Sequence, residues 1–425
     1  MAPGALPGFR DFYPAEFAER AHLFAVWRDV ARRFGFVEYD GPPLEPLELY
    51  TKKSGDEIVA QLYAFTDKGG REVALRPEMT PTLARMAAAR ANALRKPVRW
   101  FSIPQLFRYE RQQRGRLREH FQLNMDILGE PGLAADAELI AAAIEIMRAL
   151  GLTKEDVVAK ISNRELLEAI WKHAGVKTEQ FPAVYRIFDK AEPGKESVFK
   201  AKLEEVGISA ASAAELVHWA RGRRPQDFLS FSDSSAFVQQ IEWVMGLELH
   251  LEALGILDWI EIDLSIVRGL AYYTGTVFEL FDRKGEFRAI CGGGRYDDLL
   301  EQIGGAAMPA LGFGMGDVVL GEILRSRGLM PKAEPALDVW VAYGDDSKVQ
   351  DAMNVARRLR ARGRSVEYAL GGQKLARQLK AADAAGARNA VILGKEDFAE
   401  GKATVKNLED GKEMKVKLDQ WIESQ

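Results

Sequence analysis

Apolar positions recur along this chain with two different periods, and the change from one to the other divides it. Phe17, His22, Phe24, Trp27, Val30, Ala31 and Phe34 recur near helical spacing, which predicts a long amphipathic helix over residues 14–34. Gly35 is placed to close it as a C-cap. Pro42, Pro43 and Pro46 then exclude a helix or a central strand between Val37 and Leu49. Phe101–Phe107 and Phe121–Leu128 read as two strands joined by a charged loop, Arg108–His120. A helix rich in alanine and aliphatic residues is expected over 134–150. From about 170 to 230 the pattern is helical and polar, with a break at Ala191-Glu-Pro-Gly-Lys195, which predicts a helical insertion. Thr276-Val277-Phe278 is β-branched and aromatic and predicts a strand. Leu311–Leu324 reads as a glycine-rich strand running into a helix.

Beyond Ala333-Glu-Pro-Ala336 the rhythm changes. Strands at 338–343, 365–370 and 389–394 alternate with helices at 346–362 and 374–385. That order predicts parallel pairing and a separate α/β domain. Asp410-Gly411, between strands at 403–408 and 413–418, signals a two-residue hairpin turn. The expected division is a first domain over 1–330, a linker at 331–336 and a second domain over 337–425.

Composition narrows the classes. With 425 residues the chain exceeds what one core fills. A single cysteine, Cys291, excludes an internal disulfide framework and a cysteine-based zinc site. The five histidines lack metal-ligand spacing. Met1-Ala-Pro-Gly-Ala-Leu-Pro7 has neither the basic nor the apolar region of a secretion signal. No run reaches the roughly 18 apolar residues that a membrane span needs. The chain therefore reads as a soluble, cytoplasmic protein without a membrane partner. Its formal charge of −4 gives no global basic field, so any nucleic-acid contact must come from local patches. Lys374, Arg377 and Lys380 make one such helix face, which serves either RNA phosphates or only solvent. The second domain contains no GxGxxG or GxxxxGK[ST] signature.

The densest chemistry lies in Arg268-Gly-Leu-Ala-Tyr-Tyr-Thr-Gly-Thr-Val-Phe-Glu279. On a strand Tyr272 and Tyr273 would face opposite sides, so one of them lines a surface or a pocket. Arg268 presents a planar fork of donors suited to carboxylate or phosphate. The segment fits a pocket for a small anionic ligand; it also fits a surface arginine beside two half-buried tyrosines.

This segment resembles a motif of the histidyl-tRNA synthetases. Gly292-Gly-Gly-Arg-Tyr-Asp297 is similar to the glycine-rich turn that follows it in that family. Phe107-Arg-Tyr-Glu-Arg111 with Arg114-Gly-Arg-Leu-Arg-Glu-His-Phe-Gln122 resembles motif 2 of class II aminoacyl-tRNA synthetases in its histidyl form. The helix at 14–34 and the proline-bearing stretch after it resemble motif 1, which in that class builds a dimer interface.

The resemblance implies an α+β catalytic domain, with an antiparallel sheet flanked by helices and the helical insertion, followed by an α/β anticodon-binding domain. It implies ATP-dependent activation of histidine and transfer to the 3′ end of tRNA(His), by a homodimer, with Mg2+ on the phosphates. Arg108 matches the arginine that contacts carboxylate and α-phosphate, and Arg268 adds charge at the same phosphate. Glu110 resembles the residue that reads adenine; on a strand it would share a face with Arg108. Arg116 belongs to the motif 2 loop, with Gln112, Gln113 and Arg114, near ATP and the tRNA end. Glu78, Met79 and Thr80, in Leu75-Arg-Pro-Glu-Met-Thr80, match the segment that holds the amino group. Gln122 resembles a residue near the ammonium and carboxylate, and Asp126, four residues on, the acid at the inner pocket. Tyr272 and Tyr273 complete that pocket. Asp126 also fits a plain strand-end cap, and Arg295 and Tyr296 fit either the pocket or a plain turn.

Two positions depart from the family. Gly312-Phe-Gly-Met-Gly316 keeps the strand of motif 3, but Val319 stands where an arginine clamps the γ-phosphate. Ala271 replaces a common aspartate. A non-catalytic, histidine-binding regulatory paralogue of ATP phosphoribosyltransferase is the alternative, set against the presence of the Arg268–Glu279 motif and the second domain.

Overall fold

The structure, a computed structural model, describes residues 4–51, 59–111, 113, 115–189, 195–219, 235–267, 272–331 and 337–425. The chain divides into two units, 1–331 and 332–425.

The first unit contains strands β1 (Val37–Glu38), β2 (Leu44–Pro46), β3 (Tyr63–Thr66), β4 (Glu72–Leu75), β5 (Val98–Ser102), β6 (Gln105–Phe107), β7 (Glu119–Leu128), β8 (Val157–Asn163), β9 (Ile260–Ile262), β10 (Thr276–Asp282), β11 (Cys291–Arg295) and β12 (Ala310–Gly316). Its large sheet runs β1-β5-β7-β12-β11-β10-β8-β9, with β6 on β7. The five pairings from β5 to β8 are antiparallel, and only the edge strands β1 and β9 pair in parallel. β2, β4 and β3 form a small antiparallel sheet.

Strand alternation assigns the two faces. On β7 the odd positions Leu123, Met125 and Ile127 are buried in one apolar layer. They meet helices Pro14–Arg33, Leu133–Ala149, Ser235–Ala253 and Asp317–Ser326, which contribute Trp27, Ile140, Leu247 and Leu320 to the same core. The even positions His120, Gln122, Asn124 and Asp126 face the other way and carry the polar chemistry. One end of that second face is covered by helix Thr80–Arg90 through Leu83, Ala84 and Ala87.

The long first helix spans Pro14–Arg33, with Gly35 after it at φ +75°. The stretch expected as one strand at 101–107 is two, β5 and β6, because Pro104 interrupts the ladder. Helicity expected from about 170 begins at Arg164, where the Asn163 side chain caps the helix by accepting from Leu166 N at 2.9 Å. Helices Arg164–His173, Phe181–Asp189, Glu196–Glu205 and Ala210–Trp219 close around buried Trp171, whose ring lies 4.6 Å from Tyr185 and 5.1 Å from Phe188. Most of the break at 191–195 and the linker at 333–336 lie outside the described residues.

The second unit is a five-stranded sheet in the order β14 (Val366–Tyr368), β13 (Leu337–Tyr343), β15 (Ala387–Leu393), β16 (Lys402–Asn407), β17 (Glu413–Lys417). β13 pairs in parallel with both neighbours, as the alternation of strands and helices requires, and β15 to β17 are antiparallel. Buried Gln378, on helix Leu375–Ala384, exchanges bonds with both backbone groups of Tyr343 (3.1 and 2.8 Å), which pins that helix to β13. The two-residue turn expected at Asp410-Gly411 is a longer loop. Asn407 N donates to Lys412 O at 2.9 Å, and the Asn407 side chain accepts from Glu409 N and Asp410 N. An Asx turn of this kind offers the backbone an alternative to the tight hairpin.

Candidate active site

The middle of the sheet is floored by glycine on its polar face. Gly312, Gly314 and Gly316 of β12 lie opposite Asp126, Asn124 and Gln122 of β7, and Gly292 and Gly294 of β11 continue the row. A Cβ on Gly312 would stand 1.8 Å from Asp126 Oδ1, and one on Gly314 2.6 Å from Gln122 Cδ. The missing side chains are therefore what let the β7 groups lie across the sheet.

Over this floor opens a cavity of about 550 Å³, lined by Arg108, Glu110, Arg116, His120, Gln122 and Arg288 among others. Among the described lining residues three arginines face one carboxylate, so this lining favours anions. His120 adds no charge at neutral pH: burial, then Arg108 and Arg10, lowers its pKa to about 3. A second cavity of about 460 Å³, at Pro46, Arg85 and Gln302, has no comparable cluster of cations.

The expectation that Arg108 and Glu110 share a strand face is not met, because β6 ends at Phe107. Residues 108–110 are irregular, with Glu110 N donating to Arg108 O at 2.9 Å. Both side chains reach the cavity nonetheless. Arg108 Nε donates to Pro77 O at 2.9 Å, which ties it to the Leu75–Thr80 segment. Arg116 pairs with Glu110 at 2.8 Å. Gln113 and Arg116 form a bridge that folds the loop back on itself. Gln112, Arg114, Arg268 and Ala271 lie outside the described residues.

On the same sheet, two buried hydroxyl–carboxylate pairs bring together residues far apart in sequence. Tyr272 OH donates to Glu78 Oε2 at 2.8 Å, and Tyr296 OH to Asp126 Oδ1 at 2.5 Å. The Tyr272 and Tyr296 rings stand 6.0 Å apart. Gln122 at the cavity and Asp126 in this cluster are four residues apart on β7, roughly 13 Å of extended strand. Tyr272 and Tyr273 do not divide between two faces: both are buried, with rings 5.2 Å apart, because they precede β10 in a turn where strand alternation does not apply. Gly294 makes room for Tyr273, whose Cδ1 would lie 3.0 Å from a Cβ there. Met79 is fully buried beside Arg76, and Thr80 opens its helix next to Tyr272.

Burial sets the protonation of this cluster. It raises the Asp126 carboxyl to about 7, with the Tyr296 hydrogen bond pulling the other way. Burial, followed by the neighbouring carboxylates, raises the Tyr272 and Tyr296 phenols well above their ordinary range. Both therefore remain hydrogen-bond donors at any working pH.

Three placements differ from the sequence reading or add to it. Arg295 stays out of the pocket: it grips Asp136 through Nε (3.0 Å) and a terminal nitrogen (2.5 Å), and also binds Gly132 O, fastening β11 to helix Leu133–Ala149. Tyr296, which fitted a plain turn equally well, joins Asp126. Asp317, at the motif 3 position, accepts from Phe121 N at 3.0 Å and pairs with Arg10 at 2.9 Å; Arg10 also holds Glu119 at 2.6 Å. Arg10 and Arg288 carry no local motif that could have marked them.

An antiparallel sheet with a glycine floor, an arginine-lined cavity above it and a separate α/β unit define a class II aminoacyl-tRNA synthetase. The histidyl-tRNA synthetase family model matches residues 8–316, and the anticodon binding domain matches 338–424. The histidine–tRNA ligase of Opitutus terrae is 45% identical over 98% of this chain and 96% of its own. The chloroplastic/mitochondrial histidine–tRNA ligase of Arabidopsis thaliana is 41% identical, covering 97% of this chain and 84% of that one. The crystal structure of histidyl-tRNA synthetase from Nostoc sp. PCC 7120 superposes with a TM-score of 0.84 at 26% identity, over 100% of this chain and 99% of the other. This chain belongs to the histidyl-tRNA synthetase family.

Proposed function

We infer that the protein is a histidine–tRNA ligase, which joins histidine to ATP as histidyl-adenylate and transfers it to tRNA(His). The observation that carries this reading is the pairing of two environments along β7. Two buried pairs, Glu78–Tyr272 and Asp126–Tyr296, suit a small ligand with an ammonium group and an imidazole. The adjoining arginine-lined cavity suits a nucleotide.

In this reading Glu78, with Tyr272 and Thr80, takes the ammonium group, and Met79 packs beneath it. Asp126, with Tyr296, meets the imidazole, and Tyr273 closes the pocket wall. An imidazole nitrogen at Asp126 would partner a carboxyl that is otherwise costly to ionise. A ligand lacking that nitrogen would leave the pair unsatisfied, which is the basis for rejecting isosteres. Gln122 orients the substrate carboxylate where the two environments meet. A carboxylate oxygen then attacks the α-phosphorus of ATP, and the bond to the bridging oxygen breaks as pyrophosphate leaves. Arg108, anchored by Pro77 O, stabilises charge on that phosphorus, and Arg268 is assigned to the same role. Glu110 reads the adenine and Arg116 the phosphates. The fixed geometry acts chiefly by holding the two anions together.

Among the described residues no group of three histidine, cysteine or acidic side chains could hold a metal ion. In this reading Mg2+ rides on the ATP phosphates. A homodimer through the first helix and the following strand, and a cytoplasmic location, belong to the same reading. Among the described residues no helix is long and apolar enough to cross a membrane. In the second unit, exposed Lys374, Arg377 and Lys380 are assigned to tRNA phosphates.

The test is charging of tRNA(His) with labelled histidine by the purified protein, with other amino acids as controls. Histidine-specific charging is expected. Charging with another amino acid, or none, would reject the assignment.

A further inference from the structure

We propose that Arg288 binds the β- and γ-phosphates of the nucleotide, and so does in this chain what an arginine at position 319 would otherwise do. The proposal rests on reading the cavity as an ATP site, and it adds a binding residue to that site.

Arg288 lies in the connection between β10 and β11, three residues before Cys291, and lines the cavity together with Arg116 and Val319. Its guanidinium donates to the Gln113 side-chain oxygen, a neutral partner 175 residues away on the motif 2 loop. The connection and the loop are thus joined beside the cavity, and in the ATP reading the phosphate tail extends from the α-phosphate at Arg108 towards Arg288. Each of the three described arginines has its own anchor, Arg116 on Glu110, Arg108 on Pro77 O and Arg288 on Gln113.

Position 319 explains why this cation comes from elsewhere. Val319 belongs to the apolar core and can donate no hydrogen bond. A Cβ on Gly115 would meet Val319 Cγ2 at 3.2 Å and Arg288 Cδ at 3.7 Å, so the loop glycine, the valine and the arginine stem converge on one point. Gly115 reaches that point with φ +74°, a conformation glycine adopts without strain. A long side chain at 319 would extend into the region where the Gly115 backbone and the Arg288 stem already approach each other. The two are therefore alternative sources of the same charge, Arg288 from the β10–β11 connection and position 319 from the helix Asp317–Ser326.

The experiment is ATP–pyrophosphate exchange with histidine, on the full chain and on Arg288→Met and Arg288→Lys. Methionine keeps the aliphatic stem and removes the charge. Losing a charge-assisted contact to phosphate raises the KM for ATP in Arg288→Met roughly ten- to a hundredfold. Lysine, a point charge without the fork, falls between the two. The KM for histidine stays unchanged, and AMP, which lacks the tail, inhibits both variants as it inhibits the parent. If the parent exchanges and Arg288→Met keeps its ATP KM, the proposal is wrong while the ligase reading stands. Equal weakening of AMP and ATP also overturns it, because the effect would then not reside in the tail. A parent that shows no exchange overturns the ligase reading itself.

Discussion

The Asp126 carboxyl gives the sharpest thermodynamic prediction. It is 3% exposed, its bond is to the Tyr296 hydroxyl, and burial raises it from 3.8 to about 7. The folded protein therefore holds this proton more tightly than the unfolded chain. An acid shifted upwards costs nothing below its unfolded value, costs more as pH rises, and exacts its full penalty above the folded value. Each pH unit between the two is worth about 1.4 kcal/mol, so the full cost reaches about 4 kcal/mol above pH 7. Asp126→Asn keeps an oxygen to accept from Tyr296 and removes the ionisation. Urea unfolding of parent and variant, followed by tryptophan fluorescence, cancels the titration of every other group when the two are subtracted. Relative to the parent, the variant should gain roughly 2–3 kcal/mol of stability between pH 5 and pH 8. Histidine, by offering the carboxylate a partner, should stabilise the parent at pH 8 and not the variant. Stability curves that run parallel with pH would refute the argument, because they would mean that Asp126 is solvated or already paired.

Two further perturbations separate site from scaffold. Gly312→Ala places a methyl group 1.8 Å from Asp126 Oδ1, so the carboxyl must move; displacement of about 1 Å should lower histidine-dependent turnover on the order of 10²-fold, read by exchange kinetics. Arg295→Met strands Asp136 without its buried partner and should cost about 3–5 kcal/mol in urea unfolding. The KM values for histidine and ATP should be unchanged in whatever remains folded, since Arg295 faces the helices and not the cavity.

What could be read from the sequence follows the range of the forces involved. The strand at Phe121–Leu128, the glycine-rich strand before 317 and the strand–helix rhythm after 337 are local patterns; the rhythm carries the α/β class of the second domain, whereas the α+β class of the first rested on the resemblance. Chain-distant pairings were not legible. Tyr272 meets Glu78 across 194 residues, Tyr296 meets Asp126 across 170, and Arg295 meets Asp136 across 159. Nothing in the local pattern of Arg295 distinguishes a scaffold ion pair from a ligand contact. The opposite-face argument for Tyr272 and Tyr273 failed because it assumed a strand that begins only at Thr276. Likewise Arg108 and Glu110 lie just past the end of β6, and their convergence comes from the folded-back loop. The hairpin at 407–413 followed the Asn407 side chain rather than the Asp410-Gly411 pair.

The central claim is that this site activates histidine, and ATP–pyrophosphate exchange tests it most directly. Exchange that requires histidine, is not supported by other amino acids and collapses in Arg108→Ala is the predicted result. Histidine binding without any exchange would contradict the account and favour the regulatory, non-catalytic reading of the same fold.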